Sequence, residues 1–434
     1  PISHLVDGLV SRGYDVVVFD SLVPQVHRTG TWPSYANPKV TYVRGDVRDR
    51  DALQPLVLGS DAVVHFAAAV SIGQSMYEVD RYVDVNTRGT ALLLDRTVSD
   101  MLRLNYTRRF VISGPGGERL LTALVTNNVS LDIGPDLRGR GHSMLVLEKD
   151  YLELTRNIGM EVHGIIGYEL FSRFIVKIDY ERREIILSLP ERFRKPKNYF
   201  PLPIKIEDTK PYVDAAVTFP SGNSRLLKLM VDTGASHALL LDPEAGPEIE
   251  IPEKTIRGNI GRALGGDLNG RTGRLKRLLF GPYPLENLPG NFPDANLYYD
   301  TLESTDAFRH GTIGGDVLHR FRLIFDYANE TLWVKRNGFY HMPFPFSLSG
   351  LLVQARGLKL EQFVITSVRE QSAGADAGLK AGDRIIRIYN GPAESFKLSE
   401  IIEILNSKPG RKVPMEIDRD GFRMRVILKL RDDL

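Results

Sequence analysis

The sequence predicts a multidomain chain of two textures, an α/β segment at the N-terminus followed by mostly-β units. Three observations carry that expectation. Residues 1–90 alternate helix-patterned stretches with short apolar runs, and from about residue 107 strand-length runs crowd between Gly and Pro. Several blocks of sequence also recur at one fixed offset of 147 residues. A length of 434 residues suits about three domains. Apolar residues make up 42% and charged residues 25%, enough to build cores, and Lys plus Arg (56) nearly balances Asp plus Glu (54). That balance gives no global charge for nucleic acid or an anionic membrane surface. The chain has no cysteine, which excludes disulfides, thiolate metal ligands and Cys nucleophiles and leaves the compartment open. The longest charge-free apolar stretch, 62–76, contains His65 and is too short to span a bilayer. No signal peptide is visible, although the chain opens on Pro1 rather than Met.

Along the chain, Ser3 to Leu9 reads as the tail of an amphipathic helix. Short β-branched runs follow at Asp15 to Asp20, Val40 to Val43 and Ala62 to Phe66, the pattern of buried parallel strands. Later strand candidates are Phe110 to Ile112, Phe174 to Ile178, Ile185 to Leu187, Leu226 to Val231 and Leu332 to Val334. Two Pro-bearing stretches, Pro190 to Pro211 and Asn337 to Ser347, read as linkers. Expected boundaries are therefore 1–90, 91–190, 200–336 and 348–434.

The repeat is the most informative feature. Gly164 to Gly167, Arg173-Phe174 and Asp179-Tyr180 recur as Gly311 to Gly314, Arg320-Phe321 and Asp326-Tyr327. Ala91 to Asp95 recurs as Ala238 to Asp242 at the same offset, which predicts two copies of one lobe. Just before the second of these lies an apolar strand ending in Asp232-Thr233-Gly234-Ala235. Gly234 would let the backbone pass close to a partner, and Thr233 would hold the carboxylate rigid across a lobe interface. Two carboxylates facing each other share one proton, so one can serve as base toward a water and the other as acid.

With the downstream Ile313-Gly314, this pattern resembles bilobal, retropepsin-like aspartyl proteases carrying a C-terminal PDZ domain, over about residues 91–434. The resemblance implies an aspartic-type endopeptidase acting on peptides or proteins, with Asp232, Thr233 and Gly234 at its centre, no cofactor and a bacterial cell-envelope setting. The first lobe lacks the matching signature. Moving Asp232-Thr233-Gly234 back by 147 gives Val85-Asn86-Thr87, beside Asp84 but without a Gly. Activity of this single chain is expected to be impaired unless two copies pair their Asp232 residues. The Gly-rich stretch Gly258 to Gly273 lies where such a lobe carries its flap.

Residues 1–90 resemble a different family, the NAD-dependent epimerases and dehydratases of the extended short-chain dehydrogenase group, through Ser3 to Val10, Val16 to Asp20, Gly45 to Asp49, His65 to Ala68 and Val85 to Thr90. The resemblance implies a partial Rossmann-like segment and an NAD contact set of Asp20, Asp46, Val47, Phe66, Ala67 and Ala68, with a cytoplasmic setting. The Gly-rich turn that aims amides at a pyrophosphate should precede His4, and a Tyr-x-x-x-Lys should follow residue 100. Neither is present, so the set is expected to be vestigial. The two resemblances meet inside Arg88 to Asp95, and the chain reads as a chimera.

Residues 348–434 resemble a PDZ domain of the bacterial protease type, a small β-sandwich with helices, on Phe363 to Val368, Ala373 to Gly391 and the helix Leu398 to Leu405. The resemblance implies capture of a peptide's terminal carboxylate by Ser349, Gly350 and Leu351, with the peptide added as a strand beside Leu351 to Gln354. Ser113 to Gly117 reads as a turn, and the nine His residues show no metal-ligand spacing, so no metal site is expected. Two further readings stay open: a non-catalytic PDZ peptide-binding protein, and an NAD-dependent sugar-nucleotide epimerase or dehydratase.

Overall fold

The computed structural model describes residues 2–22, 31–33, 36–45, 52, 55–56, 59–61, 92–112, 121–133, 137–207, 209–263, 266–294, 308–344 and 346–434. The chain divides into two compact units, residues 1–87 and 88–434. In the first, helix α1 (Ile2–Ser11) is followed by strands β1 (Val17–Asp20) and β2 (Thr41–Arg44). β1 and β2 pair in parallel, Val17 opposite Thr41 through Asp20 opposite Arg44, the pairing of a βαβ-type sheet. The run 62–66 lies outside the described residues.

The second unit opens with a lobe of strands β3 (Leu92–Leu94), β4 (Tyr106–Ile112), β5 (Leu121–Ile133), β6 (Leu137–Leu147) and β7 (Gly164–Ile165), ordered β4-β5-β6-β3-β7. Helix α2 (Arg96–Met101) follows β3, with Asp95 capping it by accepting from Thr97 N at 2.7 Å. Helix α3 (Leu154–Ile158) precedes β7, and helix α4 (Tyr168–Arg173) leads into β8 (Ile175–Asp179) and β9 (Glu184–Ser188).

The next lobe holds β10 (Phe200–Pro203), β11 (Lys205–Glu207), β12 (Lys210–Thr218), β13 (Ser224–Val231), β14 (Leu239–Leu241), β15 (Thr255–Ala263), β16 (Gly266–Phe280), β17 (Tyr283–Pro293) and β18 (Gly311–Ile313). Helix α5 (Gly315–Leu318), β19 (Phe321–Asp326) and β20 (Thr331–Arg336) complete it. Its main sheet runs β11-β12-β13-β18-β14-β17-β16-β15.

The sequence repeat is a structural one. In the first lobe Leu93 pairs with Ile165 and Leu94 with Gly164; in the second, Leu240 pairs with Thr312 and Leu241 with Gly311. Each residue of the second set lies 147 positions beyond its counterpart. β3 also pairs in parallel with β6, as β14 does with β17. One close approach explains the shared glycine: a Cβ on Gly164 would lie 2.3 Å from Leu93 O, and one on Gly311 2.0 Å from Leu240 O.

The lobes meet in a five-stranded sheet, β10-β20-β19-β8-β9. β19 runs antiparallel to β8, with Lys177 opposite Ile324 and Val176 and Ile178 opposite Phe325 and Leu323. Position 324 is 177 moved on by 147, and the two flanking pairs exchange under the same shift. A pseudo-twofold axis therefore passes through the Lys177–Ile324 pair. Val176, Ile178, Leu323 and Phe325 join one hydrophobic core shared by both lobes. β10 lies within the stretch expected as a linker; among the described residues it is an edge strand paired only to β20, where Pro201 and Pro203 cost no ladder bond to a second neighbour. The second expected linker is also packed, with Tyr340 and Phe344 in the shared core.

The last domain comprises β21 (Leu351–Arg356), β22 (Gln362–Val368), helix α6 (Ala373–Asp376), β23 (Arg384–Ile388), β24 (Gly391–Pro392), helix α7 (Leu398–Leu405), β25 (Lys412–Arg419) and β26 (Phe422–Lys429). Its sheet order is β21-β22-β23-β25-β26, and it has its own core around Phe363, Ile365, Ile401, Val413 and Ile417. Buried Asp383 accepts from Arg419 Nε at 2.6 Å and from Lys380 N at 2.8 Å. Burial alone would raise its pKa, but these donors outweigh it and hold the carboxyl below the ordinary range. Among the described residues no helix is long and apolar enough to cross a membrane.

Candidate active site

Asp232 sits immediately after β13, where the chain leaves the sheet. β18 is inserted between β13 and β14: Val231 pairs in parallel with Ile313, and Ile313 pairs antiparallel with Leu239. The crossing fixes the Asp232 backbone, whose N donates to Ile313 O at 2.9 Å. Gly234 N donates to Asp232 Oδ1 at 2.8 Å, so the turn itself orients the carboxylate. Asp232 is half-buried, whereas Thr233 and Gly234 are exposed.

Behind this turn, Gly314 N donates to Ala238 O at 3.1 Å, and Gly315 N donates to Ala235 O at 2.6 Å. A Cβ on Gly314 would lie 2.3 Å from His237 O, a rigid backbone atom. Gly314→Ala is therefore expected to spread the crossing and destabilise the unit by about 2 kcal/mol, the usual size of an overpacking strain. A lowered urea midpoint checks it; an unchanged midpoint would show that the crossing yields freely.

Three side chains missed in the sequence feel the Asp232 charge. Burial, with a smaller contribution from Asp232, pushes the Tyr180 hydroxyl up to about 12. Tyr327 is raised as well, by burial first and then by Tyr168 and Asp232. Tyr180 and Tyr327 are repeat partners, one from each lobe. The signal that could have found them was the recurring Asp-Tyr pair, which marked the repeat but not the site. His237 is the third, lowered to about 4 mainly by burial, against the opposing pull of Asp232 and of a Thr312 backbone hydrogen bond.

That histidine has a consequence for stability. Its imidazole protonates near 6.5 when unfolded and only near 4 when folded, so the unfolded chain binds more protons between these values. Stability is expected to be flat above about pH 7 and to decline as pH falls from 6.5 toward 4. His237→Gln is expected to flatten that segment of the profile, read as urea midpoints at pH 7 and pH 5.

The first lobe supplies no second Asp-Thr-Gly. Its counterparts to β10–β13 would fall at 53–84, inside the N-terminal unit. Asp84 and Val85 to Thr87 lie outside the described residues. The Gly-rich flap candidate is the hairpin of β15 and β16, bulged between Asn259 and Gly261.

Of the NAD contact set, Asp46, Val47, Phe66, Ala67 and Ala68 lie outside the described residues. Asp20 ends β1, and its Oδ1 accepts from Leu22 N at 2.7 Å, so one carboxylate oxygen is engaged in closing its own turn.

In the C-terminal domain, Ser349 is buried, Gly350 has φ +70° and Leu351 opens β21. Gly350 N donates to Ser347 Oγ at 3.1 Å and Leu351 N to Ser349 Oγ at 3.3 Å. The amides of Gly350 and Leu351 thus each hold a serine hydroxyl.

Residues 3–114 match the family model for GDP-mannose 4,6 dehydratase, and residues 346–418 match that for the PDZ domain. The chain therefore joins an epimerase/dehydratase-like segment to a PDZ domain through the two β lobes. The first match runs past residue 90, through β3 and α2, although β3 pairs within the first lobe. A UDP-glucose 4-epimerase of Streptococcus mutans is 37% identical over 97 residues, covering 21% of this chain and 27% of that protein. One from Neisseria meningitidis is 29% identical over 120 residues, 27% of this chain and 35% of that protein. The chain spans about a third or less of the length of these relatives. Among solved structures, a retropepsin-like aspartic protease from Rickettsia conorii aligns at 19% identity and TM-score 0.23, covering 31% of this chain and 89% of that one. An HtrA-type protease with decapeptide aligns at 11% identity and TM-score 0.22, covering 72% of this chain and 94% of that one.

Proposed function

We propose that residues 92–344 are the body of an aspartic-type endopeptidase carrying one carboxylate of its dyad, Asp232, and that the PDZ domain presents peptide or protein chains to it. What supports this reading is the position of Asp232-Thr233-Gly234 at the end of β13, where β18 passes between β13 and β14 and Gly234 N holds the carboxylate. In that place a carboxylate fixed by Gly234 N can hold a water and take its proton as the water attacks a peptide carbonyl. A second carboxylic acid must protonate the carbonyl oxygen, and one carboxyl group cannot fill both roles at once.

A second copy of Asp232, brought by another chain, would complete the pair. The test is pepstatin-sensitive cleavage of an unfolded protein substrate, lost on Asp232→Asn. A non-catalytic peptide-binding role is the second reading, favoured by the sequence Val85-Asn86-Thr87 where the 147-residue offset would call for a second Asp-Thr-Gly. The N-terminal segment, whose relatives are named as sugar-nucleotide epimerases, carries no catalytic step in this proposal.

A further inference from the structure

We propose that the turn Glu153–Gly159 of the first lobe plugs the peptide groove of the PDZ domain and latches it to the flap hairpin. This rests on the reading of that groove as a peptide site. The groove's walls are β21, which pairs only with β22 among the described residues, and α7. The turn touches both walls. Gln354 Nε2, on β21, donates to Asn157 Oδ1 at 2.9 Å and to Glu153 Oε2 at 3.3 Å. Gly159 ends α3 at φ +75°, and it lies so close to Leu398, the first residue of α7, that a Cβ there would be 2.5 Å from Leu398 Cβ. A strand added to β21 would have to pass through the space this turn takes.

The same turn is tied to the second lobe. Arg262, on flap strand β15, lies 3.3 Å from Glu153 and donates from Nε to Tyr151 O at 3.0 Å. Arg156 adds a third contact to Glu153 at 3.2 Å. Glu153 itself has φ +48°, a left-handed conformation that a Glu keeps only where its surroundings hold it. One carboxylate therefore joins flap, first lobe and PDZ domain. A peptide that enters the groove displaces the turn, and the turn in leaving releases Arg262. By linkage, whatever orders the flap over a substrate changes peptide affinity by the same factor. The plugged state also lowers apparent affinity in proportion to the open fraction.

Because the chain has no cysteine, Asn157→Cys with Gln354→Cys gives a defined pair in the full-length protein. A short bis-methanethiosulfonate is expected to join the two within one chain, and a reductant to release them. The probe is a fluorescent decapeptide with an apolar last residue and a free carboxylate, compared with its amidated form. Glu153→Ala is expected to bind the free-acid peptide about tenfold more tightly than the unaltered chain, and the cross-linked pair to bind none until reduced. Equal affinity in Glu153→Ala, or unchanged binding after cross-linking, overturns the plug. Thiols that fail to join overturn it whatever the peptide does. Cross-linking with no peptide bound by any form overturns the peptide-site reading instead, and leaves the docked turn standing.

Discussion

Replacing Asp232 by Asn is expected to lower pepstatin-sensitive peptide cleavage by at least about 10³-fold, the scale of losing a positioned general base. The substitution keeps the size of the side chain and an oxygen to accept from Gly234 N, so the turn should stay folded. What it removes is the capacity to take a proton from water. Unchanged cleavage in the variant would remove Asp232 from the chemistry and the endopeptidase reading with it. The dependence on protein concentration then locates the second carboxylate. If a second copy supplies it, specific activity rises with concentration, and excess Asp232→Asn chain suppresses the unaltered protein by forming mixed pairs. If it lies on the same chain, neither effect occurs. Absence of cleavage at any concentration selects the non-catalytic reading.

How far the sequence could be read depended on which residues carried each feature. The two lobes were legible because their defining positions are chemically constrained. Gly164 and Gly311 each abut a carbonyl, and Asp179 and Asp326 are both buried at strand ends. Such positions tolerate few alternatives, so their spacing survives as a visible offset. The crossing behind the Asp232 turn was legible for the same reason, since Gly314 must pass His237 O. β10 was hidden, because an edge strand accepts Pro and so resembles a linker. The link between first lobe and PDZ domain was hidden more deeply. It rests on polar side chains nearly 200 residues apart, Asn157 and Gln354, in which neither period nor motif singles out a partner. Tyr180 and Tyr327 were visible as a repeated pair, but their nearness to Asp232 arises only when β8 and β19 pair across the axis.

Arg320→Leu is expected to cost on the order of 4 kcal/mol and to loosen the segment that joins the lobes to the PDZ domain. Arg320 is 1% exposed. Its Nε donates to Asp316 O at 2.9 Å, while the guanidinium also reaches Phe339 O at 3.2 Å, Met342 O, and Pro343 O at 3.2 Å. The Phe344 ring lies 3.7 Å from the guanidinium carbon, so the cation is stacked as well as bonded. Four carbonyls of two segments thus converge on one side chain whose planar fork suits them. Leu would fill most of the volume and satisfy none of them, and each buried acceptor left unpaired costs about 1–3 kcal/mol before water enters. Burial lowers the guanidinium's pKa and Asp316 partly restores it, but an Arg stays charged across the neutral range. The loss should therefore not vary with pH between 6 and 9. Arg320→Lys keeps the charge but cannot span four acceptors, and should recover only part of the stability. The repeat supplies an internal control. Arg173, its counterpart 147 residues earlier, pairs with Glu169 at 3.4 Å and is exposed, so Arg173→Leu should cost less than about 1 kcal/mol. Urea midpoints for the two variants compare them directly. Equal losses would mean that the carbonyls of Phe339, Met342 and Pro343 find other donors and that Arg320 does not hold the segment.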